Sequence, residues 1–89
     1  MNSPEIKEFI RENASLFWDI KEDKKEDLSL EVLVETVLNY GDLQTIKRLF
    51  EVVGLPKVAD IFLNAPERRK NNYLPLVRNF FTLYFVRHA

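Results

Sequence analysis

The 89-residue sequence predicts an all-α fold, a small bundle of about five helices, and three observations predict it. Apolar residues recur at the spacing of a 3.6-residue period, as in Leu43, Ile46, Leu49, Phe50 and Val53. The only two glycines, Gly41 and Gly54, each follow such a run, where a left-handed residue would stop a helix. Ser3, Ser29 and Asp42, residues with helix-capping oxygens, stand just ahead of the runs. A single domain over residues 1–89 is expected, large enough at 46% hydrophobic content to bury somewhat more than about 60% of its unfolded surface.

Ser3-Pro4-Glu5 reads as a helix start: a hydroxyl cap, a proline whose missing N–H costs nothing there, and an acid against the positive dipole end. The first helix is expected to run to about Asn13. Its stripe of Ile6, Phe9 and Ile10 continues in phase through Leu16 and Phe17, so Trp18 is expected to close it as a core anchor. Asp19 is placed as the cap of a turn. Lys21 to Asp27 is charged throughout and reads as a solvated loop. Ser29 caps a second helix from Leu30 to Tyr40, with Leu30, Leu33, Val34, Val37 and Leu38 inward and Glu31 and Glu35 outward. Gly41 stops it and Asp42 caps the third, so the two helices must turn sharply. After Gly54, Leu55-Pro56 opens a short fourth helix containing Val58, Ala59, Ile61, Phe62 and Leu63. Asn64 to Asn72, with Pro66 and the Arg68-Arg69-Lys70 run, is expected to be a polar connection.

From Tyr73 to Val86 apolar residues point in nearly every direction of a helical wheel, with Pro75 confined to the first turn. Aromatic-rich runs also favour strands, but no partner strand is visible elsewhere, which leaves helix as the reading. A helix apolar all round is either sheathed by its own domain or shared with a partner.

The functional inventory excludes more than it names. With no cysteine and a single histidine, His88, beside the C-terminus, there is no thiolate chemistry and a poorly placed base. No glycine-rich phosphate loop or metal-ligand spacing accompanies Asp19 and Asp60, so no enzymatic activity, cofactor, metal or small-molecule substrate is expected. The N-terminus lacks the pattern of an export signal and no apolar run is long enough to span a bilayer, which predicts a cytoplasmic protein without membrane association.

Formal charge is −1, yet residues 1–42 carry eleven acids against five bases and residues 43–89 three acids against eight bases. Such polarity marks either a charged partner or two halves that fold together and mix their charges. Two binding readings follow. In the first, Trp18, Tyr73, Phe80, Phe81, Tyr84 and Phe85 form an apolar surface for a protein partner or a second copy of the chain. In the second, the third and fourth helices form a helix-turn-helix-like pair about Gly54, and Lys47, Arg48, Lys57, Arg68, Arg69 and Lys70 contact nucleic-acid phosphates. The mainly apolar fourth helix weakens the second, since base readout needs polar side chains.

Leu16-Phe17-Trp18-Asp19, Val37-Leu38-Asn39-Tyr40-Gly41-Asp42, Leu49 and the apolar-to-glycine stop at Gly54 span about half the chain. The pattern resembles a bacterial and archaeal family of short helical proteins of unknown function marked by Phe-Trp-Asp and a Val-Leu-x-x-Gly-Asp turn. Genes of that family often lie beside nucleotidyltransferase-type toxins of the abortive-infection class, so the resemblance implies an antitoxin-like or accessory regulatory role with a toxin as partner. It carries over no catalytic residue. What it implies structurally is Trp18 as core anchor and Gly41-Asp42 as helix stop and cap.

Overall fold

Three helices begin on the capping oxygens that the sequence supplies. In the computed structural model, which describes residues 3–18 and 28–88, Ser3 Oγ accepts the Ile6 N–H at 3.2 Å and opens α1 (Pro4–Glu12). Ser29 Oγ accepts from Val32 N–H at 3.3 Å and opens α2 (Leu30–Tyr40). Asp42 Oδ1 accepts from Thr45 N–H at 2.8 Å and opens α3 (Leu43–Val53). After Gly54 the chain enters α4 (Leu55–Leu63), with Pro56 in its first turn. Then come a single turn, α5 (Glu67–Lys70), and the long α6 (Pro75–His88). The described residues hold six α-helices, one 3₁₀ turn and no strand, so the molecule is an all-α bundle.

The differences from the sequence reading have local causes. Asn13 ends α1 by turning its side chain back, Nδ2 donating to Phe9 O at 2.9 Å, and Ala14–Phe17 continues as a 3₁₀ turn. With three residues per turn instead of 3.6, the stripe changes phase. Phe17 is then fully buried and Trp18 stands 82% exposed, so Trp18 is not the expected core anchor. Gly41 is not left-handed either, since its φ of −77° and ψ of 155° are extended. Glycine is needed there for space: a Cβ would sit 2.7 Å from Val37 O. Gly54, at φ 100°, is the left-handed residue the sequence leads one to expect. Within the polar connection the turn α5 forms behind Pro66, whose carbonyl accepts from the Arg69 and Lys70 N–H groups. The expected Asp19 cap and the Lys21 to Asp27 loop lie outside the described residues.

The core is built around α2. Its Leu33, Val34, Val37 and Leu38 are buried, and it packs on α3, α4 and the 3₁₀ turn, while α1 packs on α3 and α4 on α6. One apolar cluster draws on every helix except α5. At its α4–α6 end the ring of Phe62 lies 4.7 Å from Tyr73 and 5.4 Å from Phe85, within the range in which tilted and edge-on aromatic pairs attract.

Candidate functional site

The position of α6 is set from α2. Asn39 Oδ1 accepts the Leu74 N–H at 3.0 Å while its Nδ2 donates to Asn72 O at 3.1 Å, so one amide holds both sides of the residue before the helix entrance. Nearby, Arg69 Nη1 donates to Glu35 Oε2 at 3.1 Å, a half-buried pair joining α5 to α2. Tyr73 is buried beside that pair. Desolvation pushes its phenol well above the usual range, with the Glu35 charge adding to the rise and Arg69 opposing it. These contacts fix the rotation of α6 about its own axis.

That rotation leaves the helix two unlike faces. Phe81 and Phe85 are buried, and Val77 and Tyr84 are partly covered. Leu76, Phe80 and Leu83, at successive i, i+4 and i+7 positions, form an adjoining stripe that is 84%, 58% and 66% exposed. On the neighbouring α3, Phe50 stacks on Tyr84 at 6.1 Å and meets Phe85 edge-on at 5.9 Å. A groove of about 560 Å³ runs between α3 and α6 beside this contact. Its lining combines buried Leu38 and Phe81, partly covered Ile46, Phe50, Val77 and Tyr84, and exposed Leu43, Leu76 and Phe80. Among the described residues Lys47 is the one charged member of the lining.

A second depression of about 660 Å³ separates the end of α1 from α3, but Glu12, Lys47, Arg48 and Glu51 line it with both signs of charge. A ligand there would have to strip water from ionised groups, whereas the α3–α6 groove offers apolar surface whose hydration is unfavourable from the start. Among the described residues no three acidic or imidazole side chains gather as a metal would require. Asp60 is exposed and accepts from Asn64 at 2.7 Å, and His88 ends α6 with its ring 4.8 Å from Tyr84.

The apolar candidates therefore divide. Phe80 and Tyr84 line the groove and Phe81 lies at its base, but Phe85 and Tyr73 belong to the core and Trp18 is exposed outside the groove lining. Among the basic candidates, Lys47 and Arg48 share the polar depression, where Arg48 pairs with Glu51 at 3.8 Å. Lys57 lines another depression with Glu31 and Asp60, Lys70 a third with Tyr73 and Arg78, Arg68 is exposed on α5, and Arg69 is engaged by Glu35. Gly54 alone separates α3 from α4, against the three or four turn residues of DNA-binding pairs. Leu43, Ile46, Leu76 and Leu83 are the site residues the sequence reading missed. Their signal lay in helical phase, since 76, 80 and 83 fall on one side of the wheel, but the aromatics drew the choice.

Fold and groove together define a class: a small all-α module with an open apolar cleft. No protein-family model, curated protein or solved structure matches the chain. The resemblance carried by Leu16 to Asp19, Val37 to Asp42, Leu49 and Gly54 accordingly rests on those residues alone.

Proposed function

We propose that this chain is a non-enzymatic interaction module that docks protein surface in the cleft between α3 and α6. The observation that carries this reading is the exposed stripe Leu76, Phe80 and Leu83 beside an apolar groove with one charged lining residue. Contiguous apolar surface of this kind is uncommon on monomers and is covered in use. Docking of an apolar helical ridge is the recognition mode such a groove supports, with anchors at helical spacing entering between the two helices. An antitoxin-like or regulatory role, as the sequence resemblance implies, would act through the same cleft. Separate depressions and carboxylate pairing of Arg48 and Arg69 favour this reading over phosphate binding.

A photo-reactive benzoylphenylalanine placed at Phe80, and at Arg68 as an outlying control, tests it in the cells that express the chain. The expected result is a discrete protein adduct from position 80 and none from position 68. Irradiation that yields no adduct at 80, or the same adducts at both positions, contradicts docking in the cleft.

A further inference from the structure

The face that carries the groove also carries the means to fill it. Leu76, Phe80 and Leu83 form a ridge along α6, and the groove lies directly alongside, sharing Leu76 and Phe80 in its wall. A ridge beside a hollow of its own composition is the arrangement that a twofold axis turns into a closed interface, because each copy carries both the ridge and the hollow that receives the other's. We infer that a second copy of this chain occupies the cleft, with α6 packed antiparallel on α6 of the other copy and the two ridges seated in reciprocal grooves. This inference rests on the reading of the cleft as a protein-docking surface and names its occupant.

Three quantities on the molecule favour a second copy. The first is area. Leu43, Leu76, Phe80 and Leu83 are each more than half exposed, and Ile46, Phe50, Val77 and Tyr84 add partial exposure. At roughly 100 Å² for each open side chain and less for the others, the patch is about 600 Å² a side. Two such patches bury about 1,200 Å², the lower edge of specific interfaces and well above most crystal-packing contacts.

The second quantity is charge. The formal net charge is −1, so two copies repel each other little. Arg87 continues the ridge one turn beyond Leu83, and Asp42 directly precedes the groove residue Leu43, so the charges that flank the apolar patch along the chain are of opposite sign. Antiparallel helices also set opposite dipole ends side by side. The third is the scarcity of charge between those ends: among the described residues Lys47 is the single charged member of the lining, so closing the cleft leaves few of their ions to desolvate.

Sedimentation velocity of the full chain between about 1 and 300 µM decides the matter, a range that covers dissociation constants from about micromolar upward. The wild type is expected to pass from a species near 10.6 kDa to one of twice that mass. Phe80→Glu and, separately, Leu83→Lys should weaken the dimer by at least about 30-fold, the threshold of an interface hot spot. Both side chains are more than half exposed in the single chain, Leu83 the more so, so far-ultraviolet circular dichroism should stay unchanged and certify folding. A wild type that remains a monomer throughout overturns the second copy. If the position-80 probe then still captures another protein, the docking reading stands with a different occupant, and if it captures nothing, both fall. A dimer that survives both substitutions places association elsewhere and overturns the inference.

Discussion

At the scale of single residues the structure separates neighbours that look alike in sequence. Phe17 and Trp18 both continue the α1 stripe, yet the 3₁₀ turn buries the first and turns the second outward. Phe17→Ala should therefore cost about 3–5 kcal/mol in denaturant unfolding and Trp18→Ala less than about 1 kcal/mol. Equal costs would place Trp18 back in the core. The change of period at Asn13 could not be read from apolar spacing, because its cause is a side chain folding back on Phe9 O. Gly41 teaches a related lesson, since a glycine after a helix signals either a left-handed cap or a close approach, and only the neighbouring Val37 carbonyl tells which. Asp42 is the reverse case, a cap read correctly from its position. The Thr45 backbone N–H, aided by the Thr45 side chain, holds its carboxyl below the usual 3.8. A depressed folded-state pKa contributes stability that is present above the unfolded value and lost as pH falls through the folded one. The stability gap between wild type and Asp42→Asn should accordingly shrink as pH is lowered past about 3.8, and a gap independent of pH would deny the ionised cap its role.

At the scale of elements, α2, α3 and α4 were legible because each joins a strong amphipathic stripe to a cap or a glycine stop. The start of α6 was legible only in its Pro75. Its anchor, Asn39, lies 35 residues before Leu74 in sequence, and no local pattern announces a bond of that kind. Asn39→Ala removes both of its hydrogen bonds and should cost about 1–2 kcal/mol, with faster amide exchange through the first turn of α6. Unchanged exchange there would mean that Pro75 and core packing position the helix without it. The turn α5 escaped notice because a four-residue helix has too little periodicity to register.

At the scale of the whole molecule, the two oppositely charged halves of the sequence do not form separate bodies. Glu35 from the acidic half meets Arg69 from the basic half, and α2 packs between α3 and α4. The apolar excess of the last segment is what the sequence announced, and the fold resolves it into one covered face and one open face. Which face stays open could not be read beforehand, because the rotation of α6 is fixed by Asn39 and by the rings of Phe50 and Phe62, all remote in sequence. The central claim is that Leu76, Phe80 and Leu83 remain uncovered in the single chain. Methyl NMR with a water-soluble paramagnetic co-solute, recorded on dilute protein, addresses it most directly. The Leu76 and Leu83 methyl signals should broaden strongly while those of Leu33 and Val37 stay sharp. Leu76 and Leu83 signals as protected as the core signals would show that the chain covers the stripe itself, and the docking surface would not exist.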